Sequence, residues 1–432
     1  MERILILGAA GRDFHVFNVL FRDNPNYKVV GFTAAQIPFI ENRKYPKELA
    51  GRFYKNGINI YPERKLEEII KKLEVDICIL AYSDLSYRDV FEKARIANKA
   101  GAHFMLLAPQ ATMLKSKRKV IAVCASRTGA GKSEVTRYIA RILREHGKKF
   151  VVVRHPMPYG DLRAQRVQRF EKIEDLDKYN CTIEEREEYA PHIREGNVVY
   201  AGVDYKEILK AAEREAEIIL WDGGNNDLPF FKPDLLITVV DPLRADCVGE
   251  AYPGALAVSM ADAIVINKVN VASKSEIKKA LSAVRTLNSR ANIFYTSSIV
   301  IPDKPELIPG KRVLVVEDGP SVTHGGLKFG AASVCAKQLH AKEIVDPHKY
   351  ATGSIAEAYK KYNIGKLLPA LGYSRSQISE LSKTLNRAEC DVIVSSTIKL
   401  EDLMKLNKPV VNVTFEIARE SKLSALIKNF AR

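Results

Sequence analysis

The residues best suited to chemistry form one short run, Ala125-Ser126-Arg127-Thr128-Gly129-Ala130-Gly131-Lys132-Ser133. Glycines with small neighbours let successive backbone N–H groups turn towards one point, which makes a nest for an anion. Lys132 is placed to reach the β- and γ-phosphates of a nucleotide, and the Ser133 hydroxyl to ligate Mg2+. An apolar run, Val120 to Ala125, precedes the loop, and a helical pattern, Glu134 to Glu145, follows it. The helix N-terminus therefore adds its dipole to the same anion site. The first glycine of the pattern G-x-x-x-x-G-K-[ST] is Ser126 here, while the inner glycines and the Lys-Ser pair are intact. The nucleotide-binding set expected from this loop is Thr128, Gly129, Ala130, Gly131, Lys132, Ser133 and Glu134.

A phosphate loop that works with Mg2+ needs a second acid at the end of a neighbouring strand. Ile218-Ile219-Leu220-Trp221-Asp222-Gly223-Gly224 supplies it, so Ser133 and Asp222 are the expected metal ligands. Asp241, at the end of the next apolar run, is a weaker candidate at the same edge. Asn267-Lys268-Val269-Asn270 resembles the Asn-Lys-x-Asp motif that reads guanine in GTP-binding proteins. The final position is an amide instead of a carboxylate, which discriminates guanine poorly. Asn267 and Lys268 are kept as nucleotide-binding candidates, with ATP favoured and GTP the alternative.

Other residues suit an anionic substrate. Arg154-His155-Pro156-Met157-Pro158-Tyr159-Gly160 follows the second apolar run of this region, and Arg163, Arg166 and Arg169 come soon after. Guanidinium groups bind phosphate or carboxylate in a bidentate manner, although a solvated basic face has the same composition. Glu184-Glu185-Arg186-Glu187-Glu188-Tyr189 suits a general base, a second metal ligand or a helix with internal ion pairs. Glu317-Asp318-Gly319-Pro320-Ser321-Val322-Thr323-His324-Gly325-Gly326 has residue types for acid–base work or phosphate contact, with His324 the focus. Gly8-Ala9-Ala10-Gly11-Arg12-Asp13 is a tight turn after the first apolar run, in which Arg12 can hold an anion.

These residues need strand ends to carry them. Apolar runs at Arg3–Leu7, Lys28–Phe32, Val75–Ala81 and Phe104–Leu107 alternate with helical patterns such as Lys65–Leu73 and Tyr87–Ala100. That alternation predicts a parallel sheet covered on both faces. A second series starts at Val120 and continues at Phe150–Arg154, Ile218–Asp222, Leu235–Asp241, Ala263–Asn267 and Ile293–Tyr295. A third has Val313–Val316, Asp391–Ser395 and Val410–Val413. The expected architecture is α/β: a Rossmann-like parallel-sheet domain over 1–117, a P-loop NTPase domain over 118–310 with an insert at about 159–197, and an α/β region over 311–432.

The chain has 432 residues, 46% hydrophobic and 28% charged, which fits a globular protein and excludes disordered or collagen-like classes. No stretch approaches the ~18 apolar residues of a membrane span, and the first residues lack the pattern of a signal peptide. The six cysteines form no CxxC pair, so a reducing cytoplasmic setting is expected, without a disulfide framework or structural zinc. The net charge of +15 is spread along the chain, not clustered with aromatics. It suits a nucleotide and a phosphorylated acid better than a nucleic acid. A homo-oligomer is expected.

The segments Gly8 to His15, Arg154 to Gly160, Ala201-Gly202-Val203-Asp204-Tyr205 and Glu317 to Gly326 resemble those of an archaeal and bacterial family of predicted P-loop GTPases, commonly labelled cyclic 2,3-diphosphoglycerate synthetase or its relative. The likeness spans nearly the whole chain. It implies ATP-dependent closure of 2,3-diphosphoglycerate to an intramolecular anhydride, with release of ADP and phosphate. On that reading Lys132, Asp222, Arg154 and His324 are catalytic, while Arg12, His155 and Arg163 bind the acid. A regulatory or metallochaperone-type GTPase acting through protein partners is the alternative.

Overall fold

The computed structural model describes all residues except 10, 36–39, 156, 158–159, 225, 324–327, 372–373 and 398. Three α/β layers follow one another along the chain. In the first sheet the strands run Lys44–Tyr45, Ile58–Pro62, Tyr27–Ala34, Glu2–Leu7, Ile77–Leu80, His103–Leu106. All neighbours are parallel except the Lys44–Tyr45 edge. The four strands expected here are present, and the pair Lys44–Tyr45 and Ile58–Pro62 extends them.

The central sheet has eight strands, ordered Val167–Phe170, Val199–Gly202, Phe150–Arg154, Ile218–Asp222, Lys119–Ala125, Leu235–Val240, Ala263–Ile266, Asn292–Tyr295. Only the Val167–Phe170 edge is antiparallel. Its inner strands are buried throughout, because helices cover both faces and every position must then be apolar. The period of two divides their side chains between two cores. Ile121, Val123, Leu220 and Val239 pack under the helices Lys132–Glu145 and Ile183–Arg194. Val120, Ala122 and Trp221 pack with Phe230, Phe231 and the helix Tyr205–Glu215 on the other face.

The third sheet is built on Arg312–Asp318, flanked by Val392–Ser395 on one side and by Glu343–Ile344 and Leu368–Ala370 on the other. Val410–Ile417 continues it, and Ser298–Pro302 closes its edge antiparallel. The last helix, Ser421–Ala431, returns to the central core through Leu423 and Ile427. There the Tyr138 hydroxyl of the helix Lys132–Glu145 donates to the Glu420 carbonyl at 2.9 Å.

The first and central sheets are joined by a short antiparallel ribbon, Leu85–Ser86 with Ala251–Tyr252. The chain then enters the helix Gly254–Met260 at Gly254, where a Cβ would collide with the Ser126 carbonyl. A glycine at this point is what lets the ribbon lie against the phosphate loop. Among the described residues no helix is long and apolar enough to cross a membrane.

Candidate active site

The phosphate loop forms as its sequence implies. The strand Lys119–Ala125 ends at Ser126, Gly129 and Gly131 take left-handed φ values of +85° and +100°, and the helix starts at Lys132. A side chain on Gly131 would run into Asn267 and Glu134, so the loop has no room for one. Asn267 donates to Glu134 Oε1 at 2.6 Å and to the Ala130 carbonyl at 3.3 Å. Lys268 donates to the Gly129 carbonyl and to Asp241, both at 2.7 Å. Ser298 ties Glu134 Oε2 at 2.8 Å, and Thr296 donates to Asn267 at 2.8 Å. The Asn267-Lys268 segment therefore braces the loop from beneath, and Asn270 exchanges hydrogen bonds with the Ser298 backbone.

Lys132 and Asp222 meet, as the two strand ends require. Lys132 Nζ donates to Asp222 Oδ1 at 2.6 Å, and Thr136, one helical turn further on, donates to the same oxygen at 3.1 Å. The other oxygen is held by Arg154 and lies 3.0 Å from His192 Nε2. Arg154 also pairs with Glu188, and the Tyr205 hydroxyl donates to its carbonyl at 2.5 Å. Asp222 is fully buried, and Lys132, Arg154 and His192 nearly so. Burial alone would raise the Asp222 carboxyl, but Arg154 and Lys132 outweigh it and hold the group well below the usual range. Burial pushes the Lys132 ammonium down to about 8 against the pull of Asp222. It lowers His192 as well. The charges of Lys132, Arg154, Asp222 and Glu188 balance within the cluster. A phosphate group offers Lys132 an alternative partner and leaves an Asp222 oxygen to a cation. The Ser133 hydroxyl, on the first turn of the helix, and the Asp222 carboxylate are oxygen donors of the kind Mg2+ takes, and both Asp222 oxygens are engaged here by Lys132, Thr136, Arg154 and His192.

A second cluster lies where the first sheet meets the central one. Arg12 Nε donates to Asp227 Oδ1 at 2.6 Å and its guanidinium also donates to the Leu228 carbonyl at 2.5 Å. His155 Nδ1 is 3.2 Å from Asp227 Oδ2, and Arg12 lies over the Phe230 ring at 4.9 Å. Burial would raise Asp227, but Arg12 and His155 bring it to about 2. Nearby Asp13 is buried with no cation paired to it among the described residues, and burial lifts it to about 7.

The structure thus brings together Arg12 and His155, and separately Lys132, Asp222 and Arg154. Arg163 stands apart on the surface in a fork with Asp161, at 3.0 and 3.1 Å. Arg166 pairs with Asp204, and Arg169 with Glu171 and Glu215. His324 lies outside the described residues. Glu317, in the same run, lies near the end of its strand, buried between the Ser333 N–H and the Ser396 hydroxyl. Of the acidic run, Glu188 reaches the centre and Glu185 serves the Thr182 capping box.

Sequence reasoning missed Asp227, His192 and Thr136 as site residues. Thr136 had a signal, since it lies four residues after Lys132 on the same helical face. His192 had none, because only the tertiary placement of the insert brings it to Asp222.

A parallel sheet with a lysine-bearing phosphate loop facing a buried strand-end acid defines a nucleotide-dependent α/β enzyme. No family model matches the chain. The arginine synthetase ArcE of Thermococcus kodakarensis is 54% identical, an alignment that covers 100% of this chain and 97% of that one. The chain belongs to the family of that synthetase and is an ATP-dependent, synthetase-like enzyme. Among solved structures, LpxK from Aquifex aeolicus, determined in complex with ATP, aligns over 80% of this chain and 97% of its own, with 14% identity and a TM-score of 0.46. The murein peptide ligase Mpl from Psychrobacter arcticus aligns over 73% of this chain and 54% of its own, with 14% identity and a TM-score of 0.26.

Proposed function

We propose that the chain uses Mg2+ and ATP to phosphorylate an oxygen of a small acceptor, which a nitrogen nucleophile then displaces, and that the product is arginine. The observation that carries the reaction type is the buried set Lys132, Asp222 and Arg154 at the mouth of the phosphate loop. The product comes from the name of the 54% identical relative. The balance is simple. The γ-phosphoryl leaves ADP and joins a carbonyl-type oxygen, the carbon becomes electrophilic, the nitrogen attacks, and phosphate departs with that oxygen. For arginine the carbon is that of the guanidinium group, so the acceptor is a ureido acid.

Lys132 neutralises the transferred group, Ser133 and Asp222 hold Mg2+, and Arg154 stabilises the charge that develops. Thr128 to Gly131 and Glu134 form or brace the phosphate nest, with Asn267 and Lys268 behind it. Arg12, His155 and Arg163 are the proposed acceptor-binding residues, and His324 remains a proposed catalytic residue. The same reading divides the chain into 1–117, 118–310 and 311–432. A second reading is ATP-driven cyclisation of a phosphorylated small acid such as 2,3-diphosphoglycerate, favoured by the convergence of Arg12 and His155 on Asp227.

Phosphate release from ATP separates the two. A ureido amino acid with ammonium is expected to stimulate release and 2,3-diphosphoglycerate to leave it flat. The reverse pattern would replace the first reading with the second.

A further inference from the structure

One contact at the phosphate loop belongs to neither cluster above. Asp84 comes from the first layer, directly before the ribbon that joins it to the central one. Its carboxylate accepts from the Thr128 hydroxyl at 2.5 Å. Arg127 of the same loop and Arg244, which follows the strand Leu235–Val240, face it with their positive charges. Arg244 donates to the Thr128 carbonyl at 3.4 Å, and Arg127 to Cys247 at 3.3 Å, so both guanidiniums are anchored beside the loop.

Asp84 is held there at a cost. Its φ is +61°, in the left-handed region that a non-glycine residue rarely occupies. The Asp84 N–H donates to the Asn226 side chain at 3.0 Å, and Asn226 donates in turn to the Tyr252 carbonyl at 3.3 Å. The loop after Asp222, the ribbon and the phosphate loop are thereby tied to one residue, the first through its N–H and the last through its carboxylate. A hydroxyl on the loop, with one guanidinium anchored on the Thr128 carbonyl and another on Cys247 beside it, offers the donor types that bind a nucleotide phosphate.

We propose that Thr128, Arg127 and Arg244 form a phosphate subsite, and that the Asp84 carboxylate occupies it as a built-in latch which the nucleotide must displace. This rests on the nucleotide-binding reading of the loop and adds to it. The Thr128 hydroxyl changes partner from carboxylate to phosphate, the two arginines turn from the Thr128 carbonyl and Cys247 to the same group, and the first layer is released from the loop as they do. A protein that spends most of its time latched binds with an affinity reduced by the unlatched fraction.

The test is calorimetric titration of MgATP into the full chain, without acceptor, for the wild type and for Asp84→Asn. Asparagine keeps the left-handed backbone accessible and removes the charge. The expected result is binding about tenfold tighter in the variant, as for release of one charge-assisted contact. Equal or weaker binding would overturn the latch. So would unchanged affinity with collapsed turnover, which would make Asp84 a catalytic group. Asp84→Gly, for which φ of +61° carries no penalty, provides the same comparison if the asparagine variant does not fold. In a third comparison, Arg244→Ala is expected to weaken MgATP about tenfold, and an unchanged constant would remove Arg244 from the subsite. No binding by the wild type or by any variant would instead end the nucleotide reading of the loop, a distinct outcome that takes the latch with it.

Discussion

At the scale of single residues, the site turns on how buried charges share partners. Asp222 satisfies Lys132, Thr136, Arg154 and His192 at once. Lys132→Met is expected to lower ATP turnover about a hundredfold to a thousandfold while the fold survives, because Arg154 and His192 still neutralise Asp222. Steady-state phosphate release together with a melting curve checks both halves. Asp13 gives a pH signature. Burial raises its carboxyl from 3.8 to about 7, so the folded chain keeps a proton there that the unfolded chain has already lost. Stability from this group therefore falls as pH rises from 3.8 towards about 7. Asp13→Asn is expected to flatten that part of the Tm-against-pH curve, and an unchanged slope would contradict the assignment. Arg12→Ala strands Asp227 as a buried charge with only His155 beside it. A loss of about 3 kcal/mol is expected in denaturant unfolding.

At the scale of elements, the insert matters most, since its helix Ile183–Arg194 delivers both Glu188 and His192 to the centre. Thr182 caps that helix, with its side chain accepting from the Glu185 N–H and the Glu185 carboxylate accepting from the Thr182 N–H. Thr182→Ala is expected to cost about 1 kcal/mol and to lower Tm by a few degrees. It should also reduce turnover, a loss that a cap remote from the site would not cause. Much of this level was legible in the sequence. Phe150–Arg154 and Ile218–Asp222 were readable to the residue, because inner parallel strands are unbroken apolar runs ending at a charge. Val167–Phe170 was not, because this short edge strand sets two adjacent polar residues, Gln168 and Arg169, between its apolar ends, and Gln168 shares the buried face with Phe170, so no period of two shows in the polarity. The helix across 183–194 reads as an acidic patch that stops at Tyr189, since Pro191 lies within its last turns. The Lys132–Asp222 pairing followed from motif chemistry, whereas Asp227 and His192 acquire roles only through partners 215 and 30 residues away.

At the scale of the whole molecule, the nucleotide loop is the meeting point of all three layers. The first layer reaches it through Asp84. The third reaches it through Ser298, and the last helix packs on the helix the loop opens. Such a closed arrangement suits a reaction in which an activated phosphorylated intermediate must be kept from water until a nitrogen nucleophile arrives. The most direct measurement is phosphate release from MgATP with a ureido amino acid, with and without ammonium, alongside detection of arginine. Phosphate and arginine are expected in equal amounts, only when both co-substrates are present, with both rates lowered at least a hundredfold in Lys132→Met. Phosphate release that ignores both co-substrates, or that responds to 2,3-diphosphoglycerate instead, would contradict the proposed reaction.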